Sequence, residues 1–261
     1  MKIRDMITFL EEIAPLELQE SYDNAGLLTG QPDWDATGIL ISLDATEAVV
    51  AEAADKGCNL VISHHPIIFG GLKSITGRHY VERAVIRAIK QDIALYAIHT
   101  NLDNVMQNGV NERIAQRLGL RDVRILAPRS EDNDTGSGVI GALENPMKYS
   151  EFADYLKTQM QVNTMRHTVF LERAVRQVAR CGGSGRFLLQ QAIDQQADVF
   201  ISADFKYHEF FEANGQITIM DIGHFESEQF TISLLYDLIT RKFPNFAAHC
   251  TTVNTNPINY R

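Results

Sequence analysis

Short, unbroken apolar runs alternate with amphipathic stretches through the first hundred residues, and that alternation narrows the fold more than any other feature. Gly38 to Leu43 is one such run, followed by Asp44 and Thr46, whose side-chain oxygens can cap a helix over Glu47 to Lys56. Leu60 to Ser63 forms the next strand. A helix over Val81 to Lys90 and a strand over Ile93 to Ile98 complete a second unit, and a helix around Val110 to Leu118 follows. Apolar strands joined by helices of this length imply right-handed crossovers and a largely parallel sheet covered on both faces.

A second half repeats the scheme. Strand Val175 to Arg180 runs into a Gly182-Gly183-Ser184-Gly185 turn, helix Phe187 to Gln195 and strand Val199 to Ser202. The stretch from Ala54 to Ser63 lines up with Ile193 to Ser202, and both end in Ile-Ser before a polar pair, His64-His65 in one and Ala203-Asp204 in the other. Between the halves, Arg129 to Gly138 is polar, acidic and Gly/Ser-containing, an exposed connector by composition. Val139 to Leu143, helix Ser150 to Gln161 and strand Thr164 to Phe170 fill out the second half. The expectation is α/β: two lobes of similar topology, residues 1–128 and 129–261, a return of the C-terminal segment to the first lobe being possible.

The 261 residues and 45% hydrophobic content are those of an ordinary globular protein, excluding disordered and collagen-like classes. A formal net charge of -9 argues against capture of a nucleic acid backbone, which needs clustered Lys and Arg. Cys58, Cys181 and Cys250 are too few and scattered for a disulfide framework or a cysteine zinc motif, and read as buried free thiols of a reducing cytosol. Met1 to Glu12 carries Asp5, Glu11 and Glu12 around an apolar stretch, an amphipathic helix and not a signal peptide. No apolar run approaches the roughly 18 residues of a membrane span, so a soluble cytoplasmic protein is expected.

Histidines and carboxylates gather where apolar runs end. Ile93 to Ile98 leads into His99 and Asp103, Ile217 to Ile222 leads into His224 and Glu228, and His64-His65 follows Asn59 to Ser63. In open α/β sheets ligands bind at strand carboxyl ends, and nitrogen with carboxylate oxygen suits a borderline divalent metal. Adjacent histidines on an extended chain point in opposite directions, so the cluster reads as a site for two ions. His224 and Glu228, four apart at the start of a helix over Phe225 to Ile239, would project from one face. Each element has a plainer reading: a chance His-His pair, a capped surface helix, a loop-capping Asp103. Weaker elements are the polar turn Tyr22-Asp23-Asn24-Ala25-Gly26, which can line a cleft, and Gly183, Ser184 and Gly185, whose amides could hold a phosphate at a helix start. His208, in Asp204-Phe205-Lys206-Tyr207-His208, is a candidate proton carrier, although a lone histidine is more often structural.

Together these stretches resemble the Nif-three-like dinuclear-metal proteins, also called GTP cyclohydrolase I type 2 homologues. Carrying the resemblance are Tyr22-Asp23-Asn24-Ala25-Gly26-Leu27, Ser63-His64-His65-Pro66, His99-Thr100-Asn101-Leu102-Asp103, Gly182 to Gly185, Asp204 to His208, and Gly223-His224 with Ser227-Glu228. It implies two α/β lobes flanking two metal ions, with His64, His65, Asp103, His224 and Glu228 as ligands, Glu228 bridging and His99 peripheral. It also implies ring-shaped homohexamers, and a chain without room for the domain inserted between the lobes of longer relatives. The implied activity is metal-dependent hydrolysis of a nucleotide-like small molecule, opening of the guanine imidazole ring of GTP being the named example. His99 or His208 would then carry protons while a metal-activated water attacks. A phosphoesterase and a non-catalytic metal-binding or regulatory scaffold are the alternatives. Histidine and carboxylate donors admit Zn, Mn, Fe, Co or Ni.

Overall fold

Fully buried strands need helices on their faces, and the helices Glu47–Asp55, Tyr80–Lys90 and Leu189–Asp194 supply them between consecutive parallel strands. The computed structural model describes residues 1–129 and 134–261. Helix α1 (Ile3–Ile13) leads to β1 (Gly26–Thr29), β2 (Ile39–Asp44), α2 (Glu47–Asp55), β3 (Leu60–His65), α3 (Tyr80–Lys90), β4 (Ala94–Ala97) and the single turn α4 (Thr100–Asp103). Then come α5 (Val110–Arg117), β5 (Leu120–Pro128), β6 (Gly136–Met147), α6 (Tyr149–Met160), β7 (Arg166–His167), β8 (Val175–Ser184), α7 (Leu189–Asp194), β9 (Val199–Ala203), β10 (Thr218–Asp221), α8 (His224–Glu228), α9 (Thr231–Lys242) and β11 (Ala248–Cys250). As expected, Thr46 caps α2, its hydroxyl accepting from the Val49 amide at 3.3 Å. Cys58, Cys181 and Cys250 are free thiols, the first two buried.

Two compact units result. Met1–Leu102 with Thr231–Asn259 forms the first, and Asp103–Phe230 with Tyr260–Arg261 the second. The first holds a five-stranded sheet in the order β1-β4-β3-β2-β11, parallel except for the edge strand β1. Its core includes Leu40, Val49, Val61, Val85 and Leu95, where α2 and α3 cover one sheet face. The second holds a six-stranded sheet, β5-β6-β8-β9-β10-β7, in which β8, β9 and β10 are mutually parallel and the others antiparallel. Each sheet therefore contains a parallel triad, β2-β3-β4 and β8-β9-β10, with β3 and β9 at the centre. These are the two strands that end the aligned stretches Ala54 to Ser63 and Ile193 to Ser202.

Several local expectations change. The join between units lies upstream of residue 128, because β5 pairs along its length with β6 and so belongs to the second sheet. Part of the expected connector is strand: Gly136 and Ser137 pair with Pro128 and Ala127, while residues 130–133 lie outside the described residues. The expected strand Thr164 to Phe170 contracts to Arg166–His167 at the sheet edge. Gly182 to Ser184 is no turn but the end of β8, where register shifts between Arg180 and Ser184 and Gly183 takes φ +56°. The helix expected over Phe225 to Ile239 breaks into α8 and α9, with Arg117 packing its guanidinium over the Phe230 ring at 3.9 Å.

Candidate metal centre

Parallel register brings the first set of donors together. Pairing of β2 with β3 sets Asp44 opposite His65, and pairing of β3 with β4 sets Ser63 opposite Ala97, two residues before His99. His65 Nδ1 donates to Asp44 Oδ1 at 2.8 Å, and Asp44 Oδ2 accepts from the Thr255 hydroxyl at 2.5 Å. His99 Nδ1 donates to Asp23 Oδ1 at 2.8 Å, and the fully buried His64 donates from Nδ1 to the Ile98 carbonyl at 2.8 Å. With each Nδ1 carrying its proton to an acceptor, the ring lone pair of all three sits on Nε2, the arrangement that orients metal-bound imidazoles. A donor nitrogen from each of the three lies within 4.8 Å of the others.

The His64 and His65 rings thus converge, with centroids 5.1 Å apart, instead of facing opposite ways. Strand geometry stops at His65, where the Ser63 hydroxyl closes back onto the His65 carbonyl at 2.8 Å. His99, expected to be peripheral, stands at 5.2 Å from the His64 ring and 5.4 Å from the His65 ring.

In the second unit the donors follow β9 and β10. Asp204, at φ +62°, accepts from His224 Nδ1 at 2.7 Å, and His224 Nε2 lies 3.1 Å from Glu228 Oε2 across one turn of α8. Burial disfavours a charged His224, but the hydrogen bonds and negative charges of Asp204 and Glu228 prevail and raise its pKa to about 11. A proton between two carboxylates is what a cation replaces. Ser227 ties this turn to β8, accepting from the Gly183 amide at 2.9 Å while its hydroxyl donates to the His224 carbonyl at 2.7 Å. A Cβ at Gly183 would come within 2.5 Å of Glu228 Oε1 and 3.0 Å of His224 Cε1, so the glycine leaves room around both donors. Asp103 closes α4, its carbonyl accepting from Asn111 Nδ2 at 2.9 Å.

The weaker candidates fare differently. The Asp23 side chain is enclosed and serves His99: burial opposes its charge, but hydrogen bonds from His99, Thr100 and the Asn24 amide hold its pKa down to about 2. Asn24 donates to the Ile68 carbonyl at 2.6 Å, tying the first loop to the chain beyond His65. Tyr22 is exposed. The Gly183 and Gly185 amides donate to Ser227 and Ser202, both 2.9 Å away, so these glycines do not present a bare amide cradle. Ser184 is exposed at the strand end, and His208 is exposed among the rings of Tyr207 and Phe211. Neither Asp44 nor Asp204 is legible in the sequence as a partner of histidine, because both look like turn residues. The register that pairs Asp44 with His65 is not visible in local sequence.

A model of the Duf34/NIF3 (NGG1p interacting factor 3) family matches residues 1–257. The chain belongs to this family. It is 35% identical over 229 residues to the GTP cyclohydrolase 1 type 2 homolog of Clostridium perfringens, covering 87% of each chain. To the protein of the same name from Campylobacter jejuni it is 31% identical over 264 residues, covering all of both. Among solved structures, Staphylococcus aureus protein SA1388 superposes with a TM-score of 0.91 at 30% identity, over 100% of this chain and 99% of that one. A Bacillus cereus protein related to NIF3 gives 0.90 at 25% identity, again over 100% and 99%. The α/β architecture is therefore a NIF3 fold. Among the described residues no helix is long and apolar enough to cross a membrane.

Proposed function

We propose that this NIF3 protein binds two divalent metal ions per chain through His64, His65, Asp103, His224 and Glu228, and that it hydrolyses a nucleotide-like small molecule. The observation that carries the reading is the carboxylate or carbonyl acceptor behind Nδ1 of His64, His65, His99 and His224. Four imidazoles each anchored by one nitrogen are built to use the other. Bound divalent ions would lower the pKa of a coordinated water toward neutrality and stabilise negative charge that develops on the substrate. The hydrogen bond to Asp23 and the neighbouring His64 and His65 rings support His99 as the group that would take up and return a proton, with His208 the alternative carrier. Glu228, held through Ser227 to β8, would share its two oxygens between the ions. The names of the relatives point to GTP as the first substrate to try, and their chains match this one along most of its length.

Metal-loaded protein screened against nucleotides and phosphoesters, with Glu228→Ala as control, tests the reading. Turnover abolished by that substitution supports the hydrolase. Metal bound at two equivalents without turnover supports the non-catalytic metal-binding role, and no metal bound refutes both. Family likeness also supports a homohexamer, for which light scattering should return about six times the 29.3 kDa chain mass.

A further inference from the structure

Strand alternation puts Arg180 on the face of β8 shared with Gly182 and packed against α8, opposite the face where Ala179 and Cys181 join the hydrophobic core. Its side chain is enclosed, at 1% exposure. Nη2 donates to the Ser227 carbonyl at 3.3 Å, one residue before Glu228, while Nε and Nη1 meet no hydrogen-bond partner among the described residues. A Cβ on Gly182 would lie 3.2 Å from Glu228 Oε1 and 3.3 Å from Arg180 Nη2, so guanidinium and carboxylate flank one glycine.

An arginine keeps its charge when buried, and an uncompensated buried charge is strongly destabilising. Burial works against the protonated form of Arg180, and the negative groups that offset this are Cys181, Asp103 and Glu228. Cys181 drops out, because its own burial pushes the thiol up to about 12 and leaves it neutral near pH 7. The counter-charge comes from Glu228, which faces Arg180 across Gly182, and from Asp103, whose carboxylate lies within 4.8 Å of that of Glu228.

We propose that Arg180 is a positioning residue, the resident counter-ion of Asp103 and Glu228, which keeps the ligand turn formed before divalent ions bind. The proposal rests on the reading above that these carboxylates are metal ligands. Arg180 and bound metal neutralise the same charges, so each replaces part of what the other does, and linkage makes the effect reciprocal. A packing role alone would stabilise the loaded and unloaded protein equally.

Melting curves of full-length wild type, Arg180→Met and Arg180→Lys, each in excess chelator and at saturating zinc, separate the two. Arg180→Met should lower the Tm of metal-free protein by roughly 5–15 °C, and of zinc-loaded protein by less than half as much. Arg180→Lys, which keeps the charge, should recover most of the metal-free loss. In a Glu228→Gln background, with one carboxylate charge removed, the metal-free loss from Arg180→Met should shrink. That arm keeps the test decisive if the single variant folds poorly. Equal losses with and without zinc, a lysine variant no better than methionine, or an unchanged loss in the Glu228→Gln background would each overturn the counter-ion role. A wild type whose Tm ignores zinc and that carries no metal by elemental analysis would instead overturn the metal-binding reading. The Arg180 and Glu228 coupling in chelator would still decide the counter-ion.

Discussion

Asp204 and His224 meet Oδ2 to Nδ1 at 2.7 Å, which turns the other ring nitrogen toward Glu228. Asp44 with His65 and Asp23 with His99 repeat the pairing in the first unit, each at 2.8 Å. A carboxylate behind an imidazole fixes its tautomer and ring plane and raises its basicity as a ligand.

Removing that support should weaken metal binding without removing a ligand. Asp204→Ala and Asp44→Ala are each expected to cost about 10–100-fold in affinity. Competition against a coloured chelator measures it, with circular dichroism to show that the variants fold. Unchanged affinity in both would mean that His65 and His224 are not ligands.

Gly183→Ala should strip metal rather than weaken phosphate binding. The left-handed φ of +56° costs an alanine about 1–2 kcal/mol, and its Cβ would also collide with Glu228 Oε1. Gly215→Ala is the control, with φ +68° and nothing within 4 Å of the added carbon. Both variants should lose stability, and only Gly183→Ala should lose metal content by elemental analysis.

Protein purified without chelator or metal-affinity chromatography should carry two equivalents of divalent metal. His64→Ala and His224→Ala should each lower the occupancy, and Glu228→Ala should reduce binding of both ions. Elemental analysis near zero after metal-replete expression would be incompatible with the proposed centre.

Glu52 gives an acid-sensitive clasp between α2 and the C-terminal segment. Its carboxylate accepts from the Thr251 hydroxyl, from the Thr252 amide at 2.9 Å and hydroxyl at 2.7 Å, and pairs with Lys56 at 3.1 Å. Burial opposes the charge, but these partners prevail and hold its pKa down to about 2 from an ordinary 4.5. A depressed carboxylate stabilises the fold fully above its unfolded pKa, and the contribution is lost as pH falls from 4.5 toward about 2. Glu52→Gln should therefore cost about 1.5–3 kcal/mol in urea unfolding at neutral pH. The gap from wild type should close toward the bottom of that window. A pH-independent gap would assign the loss to packing.

The sequence by itself determined the strands of the two parallel triads, the Thr46 cap and the histidines waiting at strand ends. These follow from local signals, since an unbroken apolar run, a capping hydroxyl and a following histidine are each read within a few residues. It also carried the family likeness, which the match over residues 1–257 bears out. Tertiary structure decided the rest. Asp44 stands by His65 through strand register, Asp23 reaches His99 from 76 residues away, and Ser227 takes the Gly183 amide across 44 residues. It also carried β8 through its glycines, placed β5 in the second sheet and returned α9 and β11 to the first unit. The reason is physical: hydrophobic period sets which face of a strand is buried, whereas a hydrogen-bond partner depends on register and crossover, which no short stretch of chain encodes.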